Sequence, residues 1–291
     1  MASQHSRAEL TSIPVSKGVR AETVAHGVGV APSVFLLPAV SLWWRELVRF
    51  YRHPSRWVGV LLSPLVFWLL IGSGLGSSFR AGGAPPGHGY LEYFFPGTLI
   101  LILLFTSIFC MMSVIEDRRE GFLLSVLVSP VPRASLVMGK VLGGTTLALL
   151  QGSIFLLLAP TIGISLALAQ VIELIAIMFL IAFGLTALGF CIAWRLDSTH
   201  GFHALVNLLF IPMWLLSSAL FPISGASSWV GWLMRLNPLT YGVTALRRTL
   251  YAHVQPASDV ADLPIALIVT VCFGGVAFLV ALLIASRRVH S

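Results

Sequence analysis

Residues 94–140 read FFPGTLILILLFTSIFCMMSVIEDRREGFLLSVLVSPVPRASLVMGK. An apolar run over 94–115 stops abruptly in charge, and a second apolar run opens at Leu136. At about 1.5 Å rise per helical residue, a stretch of roughly 20 apolar residues reaches across the hydrocarbon core of a bilayer. Six charged side chains stand between the two runs and a seventh, Lys140, follows just inside the second, in a chain that is only 10% charged. The stretch reads as two membrane-crossing helices joined by a charged loop outside the bilayer.

The composition agrees. Of 291 residues, 57% are hydrophobic, and the mean hydropathy is +0.93. A soluble domain must cover its surface with polar groups, and this chain has too few. The pattern predicts an all-α polytopic membrane protein with six spans, at 57–75, 94–115, 136–161, 166–194, 204–221 and 264–285. Residues 1–38 read as a mobile cytoplasmic tail and 39–291 as one membrane domain. No inserted soluble domain or internal repeat is visible.

Lysine and arginine set the orientation. With the N-terminus inside, fourteen of the 18 fall on cytoplasmic segments, and only Arg80, Arg235, Arg247 and Arg248 fall outside. Both termini are therefore expected in the cytoplasm of a bacterial-type inner membrane, with the charged loop on the same side. The formal charge of +7 is explained by this bias, and nucleic acid is not an expected partner.

Before the first span lies SLWWRELVRFYRHPSRW, residues 41–57. At 100° per residue Trp43, Trp44, Leu47, Val48 and Tyr51 share one face, and Arg45, Glu46, Arg49 and Arg52 the other. This predicts an interfacial helix over about 41–53, with indoles at headgroup depth and arginines towards anionic lipid.

Within the loop, Glu116, Asp117, Arg118, Arg119 and Glu120 form a charged turn, Gly121 interrupts, and Pro130 and Pro132 end any helix. Leu123, Leu124, Leu127 and Val128 lie at helical spacing, so a short amphipathic element stands outside the bilayer. Anchoring of span ends accounts for Arg118, Arg119 and Arg133, but not for the acids or the apolar ridge. A ridge with charge at one end suits a groove on another protein.

This loop, as IEDRREGFLLSVLVSPVPRASLVMGKVLGG, resembles the cytoplasmic loop of type-2 ABC exporter permeases, the group that includes daunorubicin-resistance and nodulation-factor export permeases. LFPISGASSWVGWLMRLNPLTYGVTALRR resembles that family's segment between the fifth and sixth spans, through Phe221, Pro222, Asn237, Pro238 and Tyr241. Three positions depart from the family pattern. Leu124 stands where an acid is common, Ala226, Ser227 and Ser228 replace a proline, and Thr244 replaces an acid.

The resemblance implies a permease half that pairs with a second copy and docks its loop, the coupling helix, into an ATP-binding-cassette subunit. ATP and magnesium would then sit on that partner. Gly139 and Lys140 are followed by Val141, so this chain has no phosphate loop with a hydroxyl for magnesium. In this reading residues 116–133 act as a lever shaped by Gly121 and Pro130. Arg118, Arg119 and Glu120 make polar contacts, while Leu123, Leu124 and Leu127 fill the socket. The outer segment over 222–250 is expected to form short re-entrant helices that cover the subunit interface, or else an exposed interfacial helix.

Other residues carry weaker signals. Glu173 lies inside the fourth span, either buried as a gating or substrate contact, or at the outer headgroup edge. Asp197, His200 and His203 step around a helix too fast to share a metal, so no metal site is expected. Cys110, Cys191 and Cys272 read as buried thiols. Gly72 with Gly76, and Gly139 with Gly143, fit the spacing for close helix approach. The expected function is export of an amphipathic, drug-like, or lipid- or glycan-linked substrate, without enzymatic activity in this chain. A proton-coupled secondary transporter and a non-transporting scaffold subunit are the alternatives.

Overall fold

The computed structural model describes residues 32–52, 54–75, 89–252 and 260–286, which are mostly helical with no strand among them. The α-helices among these residues are α1 (Pro32–Tyr51), α2 (Pro54–Leu75), α3 (Tyr90–Arg119), α4 (Phe122–Val128), α5 (Arg133–Leu156), α6 (Leu168–Arg195), α7 (Thr199–Leu215), α8 (Ser228–Leu236), α9 (Pro238–Leu250) and α10 (Leu263–Ser286). Single 3-10 turns follow α5 at Ala159–Ile162 and precede α8 at Ile223–Gly225.

The centre is α3, with α5 and α6 packed against it, α2 along its flank and α10 outside α6. Helix α3 is apolar on every side and buried on nearly every side, as a helix without a polar face must be. Helix α10 is as apolar but shows most of its surface, so its apolar side chains face what surrounds the protein.

Among the described residues four helical stretches are long and apolar enough to cross a membrane: Tyr90–Arg119, Arg133–Ile162, Leu168–Arg195 and Leu263–Ser286. The remaining two predicted spans correspond to α2 and α7, which are shorter as apolar elements. The apolar part of α2 is Leu61–Leu75, and α7 has 17 residues, about 25 Å of helix. Helix α7 stops early because the chain turns at Leu216 and Ser218, where Ser218 adopts φ 65°.

Helix α1 begins at Pro32, earlier than the expected 41. Proline fits a first helical position, where the missing N–H has no partner to lose. Pro38 lies within the helix and removes one bond without ending it. The helix lies along α5, where Gly139 and Gly143 admit it. A Cβ on Gly139 would stand 2.7 Å from the Ala39 carbonyl oxygen, and one on Gly143 would stand 2.8 Å from Glu46 Cβ. The close approach read from these glycines is therefore made to α1, not to another span. Gly76, Arg80, the C-terminal arginines and residues 1–31 of the expected 1–38 tail lie outside the described residues, and residues 32–38 belong to α1. Of the cysteines, Cys110 and Cys191 are buried, but Cys272 is exposed on the outward face of α10.

Candidate functional site

The end of α3 meets α1 and α5 in a network of three cations and three carboxylates. Lys140 projects from α5 and is almost wholly buried, as are Glu46 of α1 and Asp117 of α3. Its ammonium donates to Glu46 Oε1 at 2.6 Å, to Ser113 Oγ at 3.0 Å and to the Asp117 carboxylate. Arg45 donates a bidentate pair to Asp117, 2.6 Å and 3.0 Å long. Arg49 bridges Asp117 at 2.8 Å and Glu116 at 2.8 Å.

Buried charge costs several kcal/mol per ion, and only such saturation by opposite charge and hydrogen bonds offsets it. Burial opposes the charge on Arg45, yet its bonds to Asp117 and the nearby carboxylates outweigh this and raise its pKa further. The arginines expected to face lipid thus divide. Arg45 and Arg49 turn inward to acids of the chain, and Arg52 remains exposed. Trp43 also points in, its indole donating to Thr146 Oγ1 at 3.0 Å, while Trp44 is 60% exposed.

Beyond Asp117 the chain turns sharply. Gly121 has φ 76°, a left-handed conformation that L side chains rarely adopt, and this folds α4 back against α3. The first residue of α4, Phe122, lies under the Arg45 guanidinium at 3.6 Å from the ring centre, so α1 holds α4 as well. Leu123 is buried in the core, Leu127 is half-buried against it, and Leu124 and Val128 are 66% and 77% exposed. The expected apolar ridge therefore splits, with Leu123 seating the helix and Leu124 and Val128 forming its free face.

Arg118 and Arg119 reach across to the α6–α7 connection. Arg118 donates to Asp197 Oδ1 at 2.6 Å and to the Leu196 carbonyl at 3.1 Å, and Arg119 donates to the Asp197 carbonyl at 2.9 Å. Glu120 is exposed with a long contact to Arg49 of 3.7 Å. Arg133, at the start of α5, donates to the Ala285 carbonyl at 3.0 Å and so ties in the end of α10. Pro130 is exposed between α4 and α5.

The opposite end is closed by α8 and α9. Asn237 caps α9, its Oδ1 accepting from Leu239 N at 3.1 Å, with Pro238 in the first helical position. Gly242 rests against Ile181 and Ile100, the latter about 15 Å along α3 from its start, so α9 reaches well into the bundle. Tyr241 donates to the Arg235 carbonyl at 2.9 Å, Pro222 is buried and Phe221 is half-buried. Helix α8 keeps Met234 inside while Trp229, Trp232 and Leu236 are exposed.

Arg247, which sequence reading placed among outer charges, is buried. It stacks over Tyr93 at 4.5 Å and donates to the Ser218 carbonyl at 2.9 Å. Glu173 is exposed and accepts a bond from Thr249 Oγ1 at 3.3 Å. Among the described residues no group of three ligands could hold a metal, and Asp197 is engaged with Arg118.

Sequence reading missed Lys140 and Glu46 as buried partners. A signal was present. Lys140 sits in an apolar helix, while Glu46 and Asp117 interrupt the amphipathic helix and the end of the neighbouring span.

Residues 39–251 match the model of the ABC-2 type transporter family. The chain is 28% identical over 212 residues to transport permease ycf38 of Cyanophora paradoxa, covering 72% of each chain. It is 24% identical over 206 residues to the protein of the same name in Porphyra purpurea, covering 70% of each. To nodulation protein J of Neorhizobium galegae it is 23% identical over 226 residues, covering 76% of this chain and 84% of that one.

Proposed function

The chain belongs to the ABC-2 type transporter family, and from that membership we propose that it is the membrane half of an ATP-driven exporter. It is a membrane protein and a permease subunit, and the family implies an ATP-binding-cassette partner. In this reading two copies pair as six-span subunits, α2 and α7 completing the span count. Each copy docks α4 into an ATPase that binds ATP and magnesium. Both termini and α4 then lie in the cytoplasm, below a bacterial-type inner membrane.

The observation that carries the reading is the mounting of α4. A helix of seven residues cannot hold itself together in water, since helices shorter than about 12 residues are marginal alone. Here it is fixed by buried Leu123 and by Phe122 under Arg45, while Leu124 and Val128 stay uncovered. An apolar face held rigid at an ion-paired junction of α1, α3 and α5 can receive a push and pass it to three helices together. Gly121 sets the lever's angle, and Glu120 is left at its rim for polar contact. Arg118 and Arg119 brace the lever to the α6–α7 connection.

The substrate class we favour is amphipathic, whether drug-like or linked to lipid or glycan, because the helices that face outward are apolar and aromatic. Helices α8 and α9 then serve as the outer lid. Exposed Glu173, bonded to Thr249, offers no buried relay for protons. Export should be measured in vesicles with ATP supplied and the proton gradient collapsed. Persisting transport supports the reading, and transport that vanishes with the gradient rejects it.

A further inference from the structure

Beyond the contact at Gly143, α1 and α5 leave between them an open groove of about 480 Å³. Trp44, Leu47, Tyr51 and Arg52 line it from α1, and Leu150 and Ile154 from α5. The size lies within the range of small-ligand sites. Its walls are apolar apart from Arg52 and Gln151, and the Gln151 side-chain carbonyl accepts the Thr106 hydroxyl. Trp44, Tyr51 and Leu150 are exposed at 60%, 81% and 58%, so the groove is uncovered among the described residues.

We propose that this groove binds an anionic glycerophospholipid, with one acyl chain along Leu150 and Ile154 and the phosphate on the Arg52 guanidinium. Three observations converge. Helix α5 belongs to a stretch long and apolar enough to cross a membrane, so the groove opens towards hydrocarbon beside α1, the helix that its sequence pattern reads as interfacial. Water is a poor occupant of such a surface, since almost nothing in it can hydrogen-bond.

Charge supplies the second observation. Of the α1 arginines, Arg45 and Arg49 are bonded to Asp117 and Glu116, whereas among the described residues Arg52 makes no ion pair or side-chain hydrogen bond. Guanidinium matches phosphate in geometry, and an anionic headgroup adds net attraction that a zwitterionic one lacks. Third, Trp44 and Tyr51 flank the opening, and amphipathic rings of this kind settle at headgroup depth. A bound lipid would bridge α1 and α5 on the side away from Lys140, so the seating of α1 would depend on anionic lipid.

The test is native mass spectrometry of the full chain in detergent after exposure to equal phosphatidylglycerol and phosphatidylcholine, with a parallel arm in excess inorganic phosphate. Wild type should retain phosphatidylglycerol in preference, and phosphate should not displace it. Arg52→Gln, at an exposed position, should lower that retention about tenfold and leave phosphatidylcholine unchanged, as expected for one lost charge-assisted contact. Leu150→Trp should reduce both lipids by filling the groove. Leu150→Ser should reduce both more mildly if the tryptophan variant fails to fold.

Equal retention of the two lipids by wild type, or an unchanged preference in Arg52→Gln, would overturn the proposal. So would displacement by phosphate alone. A Leu150→Cys chain that forms a disulfide with a second copy across the groove would assign this face to dimerisation instead.

Discussion

Lys140 on α5 and Glu46 on α1 meet at 2.6 Å with both side chains more than nine-tenths buried. The pair joins the helix before the first span to the helix after the charged loop, and Asp117 of α3 completes the junction. A residue that sequence reading noted only for lacking a phosphate-loop context is thus the central cation of the charged end.

Removing that cation strands Glu46 and leaves Asp117 to the arginines. Lys140→Met should cost about 3–5 kcal/mol, the usual penalty for orphaning a buried charge. Adding Glu46→Gln should restore part of the loss, because one stranded carboxylate is neutralised. Thermal unfolding of the single and double variants in detergent measures the coupling directly. Additive losses would mean that the two side chains do not interact.

The seat of α1 depends on two glycines. Gly143→Leu places its first side-chain atom 2.8 Å from Glu46 Cβ, so α1 must shift away from α5. Tryptic cleavage after Arg45 and Arg49 should then accelerate, as both arginines leave their carboxylates. Gly59→Ala, which meets nothing within 4 Å, should leave the digestion pattern unchanged.

Ser218 is buried and holds φ 65°, while its carbonyl accepts from Arg247 and Tyr93. A non-glycine residue in this region costs roughly 1 kcal/mol or more. Ser218→Gly should therefore keep or raise the unfolding temperature, and Ser218→Val should lower it. Arg247→Met should lower it more than Ser218→Val does, since the arginine secures the carbonyl that fixes this turn.

The two leucines that adjoin in α4 should behave oppositely. Leu123→Asp buries a carboxylate in the core and should destabilise by several kcal/mol, with loss of folded protein on size exclusion. Leu124→Asp sits on an exposed position and should change stability by no more than about 0.5 kcal/mol.

That contrast shows where the sequence was readable. Apolar length alone located α3, α5, α6 and α10, because a bilayer admits few other readings of such runs. It overextended α7, since apolar residues beyond Leu215 continue into a turn fixed by tertiary bonds from Tyr93, Thr240 and Arg247. Helical periodicity placed Leu123 and Leu124 on one ridge but could not say which was covered, because the turn at Gly121 decides which side of α4 folds back onto α3. The same holds for Arg45 and Arg49. Their shared face was legible, whereas the acids that claim them lie some 70 residues away. Arg247 looked like an outer charge for the same reason, its partners Tyr93 and Ser218 being remote in sequence.

Whether the uncovered face of α4 receives the ATPase is decided by capture. The full chain and its Leu124→Asp, Val128→Asp double variant should be used to co-purify candidate ATP-binding-cassette subunits, with thermal unfolding recorded for both. The double variant should unfold at the wild-type temperature yet capture at least about tenfold less ATPase and lose ATP-dependent export, as expected for two apolar contacts replaced by charge. A double variant that folds, captures the ATPase as wild type does and still exports would contradict docking through this face.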